Sequence, residues 1–389
     1  MRAIRGIPSV SSKKRVLSHF HDLPTVLVVP TNLSAPQHIL LLKPDHLGDL
    51  LLATPALAAL REATPQAHIT GLVGPWAAQI WQANPHLDAL TTLPFPGFTR
   101  STKARRSLRP YAMLFHYGLL LRRRRYDAAL LLRDDHWWGA LLVRAAGIPQ
   151  RIGHAHPRCA PHLTTAIHYA PREHVTRQAL AVVGAFTGKP LAANPVGTPP
   201  LHFQPNAHDV AWASQWCAEE RPSGTRLVII HPGTGGACKH WLPQHWASVA
   251  DQLAAQPTTR LLLTGGPGEE PLVASIAHLM QQPALRLAGQ TSVGQLGALL
   301  GQASLVLGVD SGPLHLAVSQ GVPTCHLYGP SDHLRFGPWG DAQRHRVIRA
   351  NLACSPCGVF AACPRATSGP ECMTAITPAQ VLAALARDE

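Results

Sequence analysis

The chain has 389 residues, 46% hydrophobic and 14% charged, a composition that excludes a disordered polyelectrolyte and leaves room for two domains. Lys and Arg number 34 against 21 Asp and Glu, for a net charge of +13, and 23 His add to it at mildly acid pH. No apolar run approaches the ~20 residues of a membrane span, and the charge favours polyanionic partners: phosphorylated lipid surfaces, nucleotide sugars or nucleic acid.

Residues 1–36 carry no clear periodicity and read as an N-terminal extension. The apolar run 23–29 is short and broken by Pro24, so it is not read as a signal peptide, and a cytoplasmic location follows as the expectation. From Gln37 the pattern becomes regular. Residues 39–42 form a buried-strand run, 43–48 a turn, and 49–63 a helix kinked near Pro55. Strands follow at 69–73 and 89–93, with a helix at 75–83 between them. Another buried strand covers 126–132, and helices cover 137–146 and 175–186, the last stopped by Gly188. Residues 37–188 therefore make a first domain.

Prolines at 190, 195, 199, 200 and 205 mark 189–205 as a stiff linker. A second alternation occupies 206–350. Its strands are 227–230, 260–263, 305–309 and 324–328, and its helices 243–254, 271–280, 292–302 and 313–319. Residues 351–389 are a Cys-rich tail with a C-terminal helix. Strands alternating with helices of about ten to fifteen residues predict parallel sheets, here an α/β chain of two Rossmann-like domains facing a cleft.

Each strand end carries chemistry. Residues 309–315, Val-Asp-Ser-Gly-Pro-Leu-His, join a buried strand to a helix. Ser311 suits the N-cap, Pro313 the first turn, and Gly312 leaves its amide open. Such a helix start attracts an anion, with Asp310 and His315 flanking it. A sugar-nucleotide diphosphate fits that pattern; an ordinary capped crossover fits it as well. The loop 231–241 places Gly233, Gly235, Gly236, Thr234 and Lys239 where backbone amides, a hydroxyl and a compact charge can meet phosphate oxygens. The P-loop order is absent, and a glycine loop with a solvated Lys is the plainer alternative. Glu269, after a third strand, can reach ribose hydroxyls or lie in a surface turn.

Asp49 follows the first strand at a helix start, which favours its carboxylate form. It can take a proton from an attacking hydroxyl or merely cap the helix. Asp45, closer to the strand end but in the turn, is a rival base; Asp49 is preferred. The segment lacks G-x-G-x-x-G, so nicotinamide dinucleotides get little support. Between residues 100 and 125 lie Lys103, Arg105, Arg106, Arg109 and the run Arg122 to Arg125. They read as a solvated face, or as a dock for glycolipid phosphates or a nucleic-acid backbone, although no nucleic-acid fingerprint accompanies them. Cys354, Cys357, Cys363 and Cys372 are crowded enough to hold structural zinc or an iron–sulfur cluster; disulfides and free thiols are the alternatives.

In order along the chain, these segments resemble glycosyltransferase family 9, the ADP-heptose:lipopolysaccharide heptosyltransferases and their relatives. The resemblance runs from about Ile39 to Leu385. It rests on ILLLKPDHLGDLLLATPALAALREATPQAHIT, EHVTRQALAVVGAFTG, HPGTGGACKHWLPQHWASVADQL, VDSGPLHLAVSQGVPTCHLYGPSD and the CSPC…CMTAITPAQVLAAL tail. The fourth is similar to the family's D-[ST]-G-P-x-H-L-A signature and is the most specific. The resemblance implies a GT-B fold and an inverting transfer, with Asp49 as catalytic base. It implies Thr234, Gly235, Lys239, Asp310, Ser311, Gly312 and His315 as donor-binding residues. Arg105, Arg106, Arg109 and Arg122 are the expected acceptor-binding group. The implied partners are a nucleotide-sugar donor and a glycolipid acceptor at the inner face of the cytoplasmic membrane, with no specific nucleic acid. No metal is obligatory at the donor, although Mg²⁺ can assist. A non-hydrolysing sugar-nucleotide epimerase, a basic nucleic-acid-binding protein and a redox protein built on the Cys tail are the rival readings. Gly235 and Gly236 stand where a second hydroxyl would hold phosphate, a departure that loosens the nucleotide assignment.

Overall fold

The computed structural model describes residues 38–98, 108–189, 199–366 and 369–386. The extension 1–36 and linker residues 190–198 lie outside the described residues. The first lobe runs β1 (His38–Lys43), α1 (Leu47–Leu52), α2 (Thr54–Ala63), β2 (His68–Val73), α3 (Gln79–Gln82) and β3 (Ala89–Thr92). It continues with α4 (Arg109–Arg123), β4 (Ala128–Leu131), α5 (Trp137–Ala145), β5 (Gln150–His154), β6 (Thr165–Ile167) and α6 (Val175–Thr187). The second begins with α7 (Ala207–Glu220), β7 (Arg226–His231), α8 (Pro243–Ala254), β8 (Thr259–Leu263), α9 (Glu270–Leu279) and β9 (Leu285–Arg286). It ends with α10 (Val293–Leu300), β10 (Leu305–Val309), α11 (Gly312–Ser319), β11 (Thr324–Tyr328), α12 (His333–Phe336), β12 (His345–Arg349), α13 (Glu371–Thr374) and α14 (Pro378–Leu385).

Two six-stranded parallel sheets result. Their orders are β3-β2-β1-β4-β5-β6 and β12-β11-β10-β7-β8-β9. Read from β9, the second sheet repeats the order of the first, so each lobe is a doubly wound Rossmann-type sheet. Both sheets are covered on both faces, which is why their central strands are unbroken apolar runs. The strand period of two sorts those runs. Ile39 and Leu41 face one core cluster and Leu40 and Leu42 another; Leu227 and Ile229 part from Val228 and Ile230 in the same way.

One of these clusters is shared by the lobes. Leu50, Leu51 and Leu52 of α1 belong to the same buried cluster as Leu314 and Leu316 of α11 and Leu296 of α10. Polar ties reinforce it. Within the first lobe the Thr176 hydroxyl donates to Leu52 O at 2.7 Å; from beyond the linker, His202 N donates to Thr54 Oγ1 at 2.9 Å. The His174 ring nitrogen Nε2 lies 3.1 Å from Gly337 O. The tail belongs to the second lobe, where Met373, Ile376 and Val381 are buried in its core.

The expected strands and helices recur with small shifts. The kink near Pro55 is a break at Ala53 between α1 and α2, and Gly188 ends α6 with φ of 70°. Of the helix expected over 75–83, four residues are helical. Helices α4, α7, α12 and α13 and strands β5, β6, β9 and β12 had no counterpart in the periodicity. Gly308 sits mid-strand in β10, where an added Cβ would lie 2.6 Å from the backbone oxygen of His231 on β7. Gly308→Ala is therefore expected to cost about 1–3 kcal/mol through overpacking at the sheet centre. Denaturant unfolding checks this; an unchanged midpoint would contradict the packing described.

Candidate active site

A doubly wound sheet opens a crevice beyond the carboxyl ends of its strands where the strand order reverses. In the first lobe that point lies between β1 and β4, and in the second between β7 and β10. All four strand ends feed loops into one cavity of about 740 Å³. Asp49, Thr234, Gly235, Lys239, Asp310, Ser311, Gly312 and His315 all line it.

On the first lobe, Lys43 ends β1 as a buried cation. Its Nζ donates to Leu132 O at 3.2 Å and pairs with Asp45 Oδ2 at 3.0 Å. Arg133, just past β4, pairs with the other Asp45 oxygen and with Asp135 Oδ1 at 2.6 Å. Burial opposes the charge on Asp45, but Lys43 and Arg133 outweigh it and bring the carboxyl down to about 2. Asp45 is thus an acid held ionised by two cations, a poor proton acceptor at neutral pH. Asp49 differs. Among the described residues no hydrogen bond engages its carboxylate, and burial, then the Asp45 charge, raises its pKa. The helix-start stabilisation expected from sequence is overridden by desolvation, because Asp49 is the third residue of α1 and faces a neighbouring carboxylate. Two acids four residues apart are driven in opposite directions, and the one left unengaged is the better base.

On the second lobe, the Thr234 hydroxyl donates to Asp310 O at 3.1 Å. Lys239 Nζ donates to the same oxygen at 2.9 Å and to Asp310 Oδ2 at 3.1 Å. Ser311 takes the N-cap position of α11, yet its hydroxyl does not cap the helix as expected. Among the described residues it is buried without a hydrogen-bond partner, as is His315 Nδ1. Burial lowers the His315 pKa to about 4, so the ring is neutral at pH 7. An unsatisfied hydroxyl, a neutral imidazole, a helix start and a Lys share one wall, a donor set suited to an anion.

Sequence reasoning missed part of the wall. Arg335 on α12 reaches across the cleft to Asp134, with Nη2 2.8 Å from Oδ2. Arg133 and Asp134 follow a strand end and were locally detectable; Arg335 carried no local signal. Glu269 lines the cavity, its Oε2 accepting from Gly266 N at 2.7 Å, so its loop is more than a surface turn. Phe360 of the tail also lines it. Its oxygen accepts from Cys238 N at 3.0 Å, and its ring centre lies 5.5 Å from Lys239 Nζ.

Arg105 and Arg106 lie outside the described residues. Arg109 and Arg122 are on α4 and do not line the cavity. The tail thiols neighbour one another: burial, with the charges of Cys357, Cys354 and Cys363, pushes Cys372 up to about 11. Among the described residues, however, no three His, Cys, Asp or Glu side chains are placed to hold a metal ion.

Removing Asp45 takes the carboxylate partner from the buried Lys43 and leaves Arg133 with Asp135 alone. Asp45→Asn is expected to cost about 3 kcal/mol of stability at pH 7. The folded pKa is depressed, so the Asp45 contribution is present above the unfolded value near 4 and is lost as pH falls toward about 2. Urea unfolding should show the gap between parent and variant closing over that window; a constant gap would contradict the ion-pair assignment.

Comparison with known proteins agrees with this architecture. Residues 116–362 match the family model for glycosyltransferase family 9 (heptosyltransferase). Lipopolysaccharide heptosyltransferase 3 of Escherichia coli is 29% identical over 302 residues, which cover 76% of this chain and 84% of that protein. The solved structure of E. coli ADP-heptose lps heptosyltransferase II superposes with a TM-score of 0.69 at 21% identity, covering 90% of this chain and 98% of that one. A family 9 glycosyltransferase from Veillonella parvula DSM 2008 gives 0.72 at 21% identity, covering 90% and 96%. The fold is GT-B, and the chain belongs to glycosyltransferase family 9, the heptosyltransferases.

Proposed function

We propose that this chain is an inverting heptosyltransferase that moves heptose from ADP-heptose to a lipopolysaccharide core or a related glycolipid. The observation that carries the reading is one cavity with an unengaged, raised-pKa Asp49 on one lobe and the Lys239–Ser311–Gly312 anion wall on the other. Relatives named for ADP-heptose support the donor.

In this reading the donor diphosphate lies against the start of α11. Lys239, the Thr234 hydroxyl and the loop amides around Gly235 and Gly312 hold its oxygens. Asp310 and His315 flank the sugar; His315, being neutral, contributes hydrogen bonding and no charge. An acceptor hydroxyl attacks the anomeric carbon from the Asp49 side. The bond from that carbon to the leaving phosphate oxygen breaks, and the hydroxyl proton passes to Asp49. A single displacement inverts the anomeric centre. Charge accumulates on the departing diphosphate, where Lys239 and the helix amides stabilise it without a resident metal. The Asp134–Arg335 bridge spans the cleft at the cavity wall, beside the reacting groups.

Arg105, Arg106, Arg109 and Arg122 remain the proposed contacts to acceptor phosphates, at the inner face of the cytoplasmic membrane. A metal on the Cys354–Cys357–Cys363–Cys372 group remains a proposal carried by the sequence alone, since no three of these side chains converge among the described residues. Stoichiometric zinc or iron in the purified chain supports it, and metal-free protein of full stability refutes it.

Purified chain incubated with ADP-, UDP- and GDP-sugars and a truncated lipopolysaccharide acceptor is expected to release nucleotide fastest from ADP-heptose. Asp49→Asn should lower kcat by about 10²–10⁴, the usual weight of a general base. Its melting temperature should hold or rise, because a carboxylate with a raised pKa is a cost to the fold at pH 7. Near-parental turnover in that variant, or isomerised donor formed without acceptor, would overturn the reading. The acid limb of kcat/KM should lie above the ordinary carboxylate range. Lys239→Ala should lower kcat about 10²–10³-fold; an effect on acceptor KM alone would remove Lys239 from the donor wall.

A further inference from the structure

Helix α4 carries apolar side chains on two opposite faces. Met113, Leu114, Tyr117 and Leu121 pack inward on the core of the first lobe, and Gly118 lies close to Ala145 of α5. The outer face of such a surface helix is ordinarily polar. Here Leu108, Tyr111, Phe115 and Leu119 follow at spacings of three and four residues and form one line along it. Leu108 is 80% exposed and Phe115 71%. Ten large hydrophobic residues are exposed among the described residues, and five, these four and Leu120, fall on this stretch. That is a patch and not scatter.

The line runs into Arg122, Arg123, Arg124 and Arg125, all exposed, and no Asp or Glu occurs between residues 108 and 126. An apolar ridge closed by four arginines complements an anionic lipid surface: the ridge enters the acyl boundary while the guanidinium groups meet lipid phosphates. The topology aims this face. As the crossover between β3 and β4, α4 runs antiparallel to the strands, so its first turn lies at the cavity edge of the sheet. Trp138 Nε1 donates to Pro110 O at 3.2 Å and ties that turn to the segment following Arg133 and Asp134.

We propose that α4 is an interfacial helix, lying in the plane of an anionic bilayer with Leu108, Tyr111, Phe115 and Leu119 inserted and Arg123–Arg125 on lipid phosphates. The proposal rests on the reading of a lipid-linked acceptor and supplies the surface that meets the lipid. It sets the mouth of the cavity beside the headgroup layer, so an acceptor sugar reaches Asp49 without its lipid leaving the membrane.

Full-length chain is sedimented with vesicles of phosphatidylglycerol and phosphatidylethanolamine, and with vesicles of phosphatidylcholine alone. Binding to the anionic vesicles is expected, decreasing with salt. Tyr111→Ser with Phe115→Ser should weaken partitioning about tenfold or more, and Arg123→Gln and Arg124→Gln about fivefold each. Turnover of a water-soluble acceptor fragment by the Tyr111/Phe115 variant should stay within about twofold of the parent, which shows that the fold is retained. Equal partitioning of parent and variants overturns the proposal. So does a lipid-free dimer that Phe115→Ser dissolves, because the ridge is then a protein interface. Absence of turnover in the parent strikes the proposed transferase reaction instead and leaves the vesicle result standing.

Discussion

The approach of two helix starts across the cleft, α1 from one lobe and α11 from the other, is the constraint on which the site depends. It is made by glycine. A Cβ on Gly48 would lie 3.3 Å from Gly312 Cα and 3.1 Å from the His315 ring, and one on Gly312 would lie 3.3 Å from Gly48 N. With no side chain between them, Asp49 and Ser311, the neighbours of these glycines, enter the same cavity. Beneath the contact, Leu50, Leu51, Leu314 and Leu316 continue it as shared core. Burial of that apolar surface fixes the lobe spacing, and the spacing fixes the distance over which any group can be transferred.

Much of this was legible because strand ends are local events. An apolar run followed by Lys-Pro-Asp or His-Pro-Gly announces a buried strand and its loop, and the sheet rule then says which loops meet a ligand. Asp49, Thr234, Lys239 and Ser311 could be read that way. Arg335 could not, since α12 has four residues and its role exists only through the opposite lobe. Nor could Phe360, which reaches the cavity wall beside Lys239 from the tail. Helix α4 escaped notice for a different reason. Apolar on its inner and outer faces alike, it lacks the polar side that creates a period, and its arginines read as a charge run. Strand β9 has two residues, and β12 interleaves His345, Arg346 and Arg349 with Val347 and Ile348, so neither shows a buried-strand signature.

Chemical identity was a weaker guide than partners. Asp45 and Asp49 are the same residue type four positions apart, Asp45 in the turn nearer the strand end and Asp49 in the helix start, and that placement alone was the ground for preferring Asp49. Their roles separate because Lys43 and Arg133 close on Asp45 and leave Asp49 facing the cavity. Ser311 shows the converse. Its position predicted a cap, but the helix leaves the hydroxyl unspent, and an orphaned polar atom in a cleft is a better pointer to a ligand than a satisfied one.

The contact between Lys239 and Asp310 has a further consequence. The Lys239 ammonium holds an internal counter-ion, the Asp310 carboxylate 3.1 Å away. On the proposed donor role of Lys239, an incoming phosphate would enter by exchange with this carboxylate, which stays tethered nearby. Such self-neutralisation spares the cleft an uncompensated charge.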